Sequence, residues 1–152
     1  MRRWSRYLTW MAAAILIAST AMGAEEWDLL SFQMDDAYRV ASGILIMSLI
    51  LFQWGLTLGR VIFQRTGSQW GRWIDWHLRS AILLPLALLA HSLTLGWGLL
   101  GALPLMLLGA AHFGSLMNGH EKIKEYLPYH VGLSALTLAL ALIHIYMVLM
   151  FR

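Results

Sequence analysis

Two segments of this chain determine its architecture. They are HLRSAILLPLALLAH, residues 77–91, and HVGLSALTLALALIH, residues 130–144. Each is a mainly apolar stretch that begins and ends with a histidine, so its two histidines are 14 residues apart. In an α-helix, 14 residues rise about 21 Å and stop about 40° short of four full turns. The two histidines of each segment therefore lie on one helix face, one near each side of a bilayer.

Two parallel helices with this spacing can face each other with their histidines at the same levels. His77 is then expected opposite His130 on the inner side of the membrane, and His91 opposite His144 on the outer side. A six-coordinate haem b iron takes one axial nitrogen from each of two side chains. The pattern therefore predicts two non-covalently held haem b groups, with one histidine pair as the iron ligands of each.

The composition predicts an integral membrane protein. Of the 152 residues, 59% are hydrophobic and 12% are charged, whereas soluble domains carry about 25% charged residues. The chain has no cysteine, which excludes disulfides, cysteine-ligated iron–sulfur clusters and covalently attached c-type haem. The net charge is +3, but the position of the charged residues beside the apolar runs matters more than this total. The charge therefore does not indicate a nucleic-acid partner.

The apolar runs are long enough for four membrane spans. Residues 40–59 and 131–151 carry no charge, and each run can cross the bilayer once. Residues 80–117 are also uncharged, but one helix of that length would be about 57 Å long. This run must form two spans, joined at the Gly96-Trp97-Gly98 turn. The predicted fold is an all-α, four-helix transmembrane bundle over residues 40–152.

The charges between the spans predict the orientation. The Arg60–Arg79 loop contains four arginines, and residues 118–129 contain two lysines, so both segments are expected in the cytoplasm. Residues 25–39 hold five of the eight acidic residues and form a predicted external segment. Both mature termini are then external. The small size of the chain and the signal-peptide pattern of residues 1–24 suggest a bacterial inner-membrane protein, with these termini in the periplasm. Pro128 is expected at the start of the last helix.

Residues 1–24 have the pattern of a secretory signal peptide. Arg2, Arg3 and Arg6 precede a short apolar run that ends in the small residues Gly23 and Ala24. The alternative is an uncleaved anchor helix, which would be a fifth helix of the bundle. The predicted organisation is a signal peptide over 1–24, followed by the acidic segment and the four-span domain.

Two parts of the predicted site have alternatives. His77 lies near the interface, where a solvated histidine also fits, and His112 on the third span competes with it as inner ligand. His112 could instead line a proton or quinone path, or hydrogen-bond to a neighbour. Haem propionates require cations or donors, and Arg79 is the predicted partner inside, while Arg39 lies at the end of a span outside. The same basic residues also serve as the topology signal.

Histidines 14 apart on two parallel helices, with one span between them, resemble the di-haem core of the cytochrome b in quinol–cytochrome c complexes. They resemble equally the transmembrane domain of ferric reductases and NADPH oxidases. The resemblance covers residues 40–150 and is carried by His77, His91, His130 and His144. It implies one haem near each membrane face, with electrons crossing between them. No room remains for a nucleotide- and flavin-binding domain, so NADPH-driven activity is not expected within this chain.

The leading functional hypothesis is transmembrane electron transfer between a quinol or protein donor and an acceptor, in a quinol-linked or ferric reductase-like oxidoreductase component. A second hypothesis is a haem-bearing anchor subunit of a larger redox complex, with the acidic segment as a docking surface for a redox partner protein. A third is copper transport or sensing without haem, because Met147 and Met150 lie near His144 and suit copper(I).

Overall fold

A computed structural model describes residues 2–23, 31–33, 35–63, 68–95, 98–117 and 120–151. These residues form helices joined by short turns and contain no strand, which confirms the predicted all-α class. The helices are α1 (Arg2–Ala21), α2 (Asp36–Phe63), α3 (Ser68–Ser80), α4 (Leu83–His91), α5 (Leu99–Leu116) and α6 (His120–Met150).

Four segments of these helices are long and apolar enough to cross a membrane. They are Asp36–Gly59, Gly71–His91, Leu99–Leu116 and Glu121–Met150. Each contains most of one predicted span, so the four-helix membrane bundle is confirmed and the protein is an integral membrane protein. Large apolar side chains such as Leu45 and Leu142 are exposed on the bundle surface, where lipid would cover them.

The second span consists of two helices, α3 and α4, with a break at Ala81 and Ile82. Pro85 explains the break, because it has no amide hydrogen to donate to the carbonyl of Ala81. The N–H of Ile82 instead donates to the carbonyl of Arg79 at 3.4 Å. His77 therefore lies in the last turn of α3, and the outer histidine of this span lies beyond the break, at the end of α4.

Two local predictions were wrong. Residues 68–80, predicted as part of a loop, form helix α3, and Pro128, predicted at a helix start, lies inside α6. Helix α6 begins at His120, eight residues earlier. Pro128 is exposed, so the carbonyl that loses its helical hydrogen bond there is close to the surface of the bundle. The acidic segment falls partly outside the described residues, as do positions 96 and 97 of the external turn.

The core lies where α1, α2, α4 and α5 meet. Its buried side chains include Ile46, Ile50, Leu84, Leu88 and Leu107. Helix α6 packs against α5, and α2 packs against α3 and α4. One cavity is lined by residues of α2, α3, α4, α5 and α6.

Helix α1 packs into the bundle. Ala12 and Leu16 are each only 1% exposed and belong to the core. The Ser19 hydroxyl is hydrogen-bonded to the carbonyl oxygen of Leu93, and the Thr20 hydroxyl accepts the N–H of Leu95 at 2.7 Å. Both the signal peptide over residues 1–24 and the alternative of an uncleaved anchor helix stay predictions.

Candidate functional site

The structure brings the predicted inner histidines together. His77 from the last turn of α3 and His130 from α6 have ring centroids 6.1 Å apart, with perpendicular ring planes. Both rings line one cavity, whose walls are mainly apolar. Cofactor sites are commonly apolar clefts with a few polar groups. The other walls come from α2, α4 and α5 and include Trp54, Leu84 and Leu107.

The separation of these rings fits a bis-imidazole iron site. A bond from a first-row metal to an imidazole nitrogen is about 2 Å long, so imidazoles on opposite sides of one iron have centroids roughly 6 Å apart. The observed separation of 6.1 Å for His77 and His130 agrees with that distance. The inner residues therefore suit a haem iron in donor chemistry and in spacing.

Helix α5 fixes the orientation of the His130 ring. The Nδ1 of His130 lies 2.8 Å from the carbonyl oxygen of Ala110. A carbonyl can only accept, so Nδ1 carries the hydrogen and Nε2 keeps its lone pair. A Cβ placed on Gly114 would lie 3.0 Å from both Nδ1 and Cε1 of this ring. The imidazole thus occupies a notch in α5 that exists because residue 114 is glycine.

His77 differs from His130 in its surroundings. Its Nδ1 is buried and has no hydrogen-bond partner among the described residues. Polar side chains approach its backbone instead: the Ser80 hydroxyl and the Gln53 amide nitrogen lie 3.3 Å and 3.4 Å from the His77 carbonyl oxygen. Packing and its own helix therefore position the His77 ring, and its Nδ1 is left without an acceptor.

Of the two outer histidines, His91 has a defined hydrogen-bond partner. The Nδ1 of His91 lies 2.8 Å from the Ser42 hydroxyl oxygen, and that hydroxyl donates to the carbonyl of Tyr38 at 2.7 Å. Ser42 therefore accepts the Nδ1 hydrogen of His91, which leaves Nε2 of that ring free for a metal. His144 on α6 lies within electrostatic range of His91, and Arg39 lies within range of both.

The two cations predicted for propionates have different surroundings. Arg39 is near the outer pair, as described above. Arg79 instead forms an ion pair with Asp75 at 2.7 Å, one turn away on α3, and both side chains are about half exposed. Arg79 is not among the residues that line the inner cavity. Its propionate role stays a prediction, and it would require the ion pair to open or to share the guanidinium.

His112 faces a different part of the bundle from the inner pair. Its ring packs edge-to-face against Trp10 of α1, with centroids 5.1 Å apart. It does not line the inner cavity, and its Nδ1 is buried without a partner among the described residues. The geometry therefore pairs His130 with His77 and separates His112 from both.

Sequence reasoning missed the residues that orient the rings, which are Ala110, Gly114 and Ser42. Ala110 acts through its backbone, so its side chain carries no signal. The roles of Gly114 and Ser42 can be recognised only when the rotation of α5 and α2 relative to the neighbouring helices is known. A glycine opposite a predicted ligand on an adjacent span would have been the usable clue, since close approach requires it.

The described residues contain no group of three or more His, Cys, Asp or Glu side chains that could hold a metal ion. No family model, curated protein or solved structure matches this chain.

Proposed function

We propose that this protein is a di-haem b-type cytochrome that transfers electrons across the membrane. The observation that carries the proposal is the inner histidine pair, His77 and His130, whose centroids lie 6.1 Å apart beside a cavity within a membrane-spanning bundle. The second pair, His91 and His144, occurs further along the same two spans. Two such pairs would place one haem near each face of the bilayer.

When bound, each haem supplies reversible one-electron redox chemistry at its iron. The chain holds and orients it. The donations from His130 to Ala110 and from His91 to Ser42 each fix a ring and leave Nε2 for the iron. Donation of the second ring hydrogen also makes an imidazole a stronger ligand. Arg39, which is within electrostatic range of both outer histidines, would neutralise a propionate of the outer haem.

The membrane orientation is part of the proposal. The basic segments between the first two spans and between the last two spans are assigned to the cytoplasm, and the termini to the periplasmic side of a bacterial inner membrane. The inner pair then faces the cytoplasm and the outer pair faces the periplasm. Electrons would come from a quinol or a protein donor on one side and leave to an acceptor on the other.

An external redox partner fits the charge of the chain. Residues 25–36 contain five acidic side chains, and an acidic surface attracts a basic protein by electrostatic steering. A partner bound there would be close to the outer pair, because helix α2 begins at Asp36 and carries Arg39 and Ser42. The same surface would serve if the protein is the haem-bearing anchor subunit of a larger redox complex.

Single histidine variants test the proposal. His77→Ala or His130→Ala should remove the inner haem and leave the outer haem at least partly bound, whereas His91→Ala or His144→Ala should do the reverse. The measurements are haem content and the reduced-minus-oxidised spectrum of each purified variant.

His112→Ala is the matched control, since its ring packs against Trp10 and not against the inner pair. It should keep both haems. If His112→Ala loses a haem while His77→Ala keeps two, the inner pair is assigned wrongly.

A further inference from the structure

Gln53 of α2 contributes an unpaired acceptor to the inner cavity. Its amide nitrogen donates to the Ser80 hydroxyl oxygen at 2.7 Å. The Ser80 hydroxyl lies 2.7 Å from the carbonyl of Trp76, to which it donates, so Ser80 can only accept from Gln53. This bond fixes which end of the amide is nitrogen. The remaining oxygen, Oε1, is buried and has no hydrogen-bond partner in the described part of the chain.

His77 has the complementary deficit. Its Nδ1 is buried and unpaired, whereas the Nδ1 atoms of His130 and His91 are bonded to Ala110 and Ser42. Gln53 and His77 line the same cavity, and the Gln53 amide nitrogen is 3.4 Å from the His77 carbonyl oxygen. Gln53 thus has a buried acceptor without a donor, and His77, which lines the same cavity, has a buried donor without an acceptor.

We propose that Gln53 is the positioning residue of the inner site, and that its side-chain oxygen accepts the Nδ1 hydrogen of His77 when the inner haem is bound. The inference rests on the proposed function. The proposed bond would form by rotation of the imidazole about its side-chain bonds, while Ser80 holds the other end of the amide. Metal-bound histidines nearly always donate their second ring hydrogen to an acceptor, which fixes the ring and strengthens it as a ligand.

Substitutions at Gln53 have opposite expected effects on the ring. Gln53→Leu keeps a similar volume and removes the acceptor, so the His77 ring loses its orientation. Gln53→Glu replaces a neutral acceptor by a carboxylate, which accepts more strongly and increases electron donation from the imidazole to the iron. A stronger donor favours the ferric state, so the midpoint potential of the inner haem should fall.

The experiment titrates haem-free full-length protein with haemin and then measures both midpoint potentials. Gln53→Leu should weaken haem binding at the inner site by about 10- to 100-fold and leave the outer site unchanged. Gln53→Glu should bind two haems and lower the inner potential alone. Ser48→Ala is the control, because Ser48 lies on the same helix α2 but is exposed and does not line the cavity; it should leave both affinities and both potentials unchanged.

The outcomes separate the two proposals. Two haems in the wild type, with wild-type affinity and potentials in both Gln53 variants, overturn the role of Gln53 and leave the cytochrome standing. No haem in the wild type contradicts the cytochrome and this role together. If Gln53→Leu loses both haems through misfolding, the Gln53→Glu potential decides, and an unchanged value overturns the inference.

Discussion

Gly114→Ala tests the notch that holds His130. The added methyl group would lie 3.0 Å from both Nδ1 and Cε1 of the ring, which is closer than carbon atoms normally approach. The imidazole must therefore move by a few tenths of an ångström. That movement stretches the 2.8 Å bond from Nδ1 to the Ala110 carbonyl, and Nε2 turns away from the position where it can bind iron.

The expected magnitude follows from three effects. Overpacking costs about 1–3 kcal/mol, and weakening the ring hydrogen bond costs about 0.5–1.5 kcal/mol. Replacing a helical glycine by alanine returns about 1 kcal/mol. The net loss is therefore about 2 kcal/mol. If this whole loss falls on the haem-bound protein, the affinity for the inner haem decreases by roughly 10- to 50-fold.

Haemin titration of the haem-free protein measures this loss, and two glycines provide controls. A Cβ at Gly132 of α6 meets nothing within 4 Å, and one at Gly43 lies 3.5 Å from Cε1 of His91, which is ordinary contact. Gly132→Ala and Gly43→Ala should therefore keep both haems at wild-type affinity. An unchanged inner site in Gly114→Ala would refute the notch as the feature that orients His130.

Two further predictions concern the chain around the site. Reporter domains fused after residue 68 or residue 120 should be active only in the cytoplasm, because both positions lie in basic segments; activity in the external compartment would reverse the topology. If α1 is retained, the purified chain should have the mass of all 152 residues. Leu16→Ala should then destabilise the chain by about 2 kcal/mol or more in thermal melts. Ile17→Ala, at a 57% exposed position, should have little effect. A mass lacking the first 23 or 24 residues would refute retention of α1.

The spans were predictable because their signal is local. An uncharged run such as residues 40–59 must be helical in lipid, since its backbone groups have no other partners there. The common depth of His77 and His130 was predictable for a similar reason, because each lies near the start of an uncharged run, whereas the break at Ala81 and Ile82 interrupts the helix that was expected to carry both His77 and His91. These features need no knowledge of how neighbouring helices rotate.

The features that the sequence did not reveal depend on neighbouring helices. Residues 68–80 are polar enough to suggest a loop, but Trp73 and Trp76 alternate with polar residues in a helix that suits the membrane interface. The packing of Trp10 on His112 follows from where α1 lies. The Gly114 notch and the Ser42 acceptor likewise result from helix rotation, which no single segment encodes.

Haem stoichiometry is the most direct test of the central claim. A pyridine haemochrome assay on the purified full-length protein, combined with a protein determination by amino-acid analysis, counts non-covalent haem per chain. Two histidine pairs, His77 with His130 and His91 with His144, predict two b-type haems, both low-spin when oxidised. A value of one haem, or of none, in protein that is folded and reconstituted with excess haemin would contradict the two-site account.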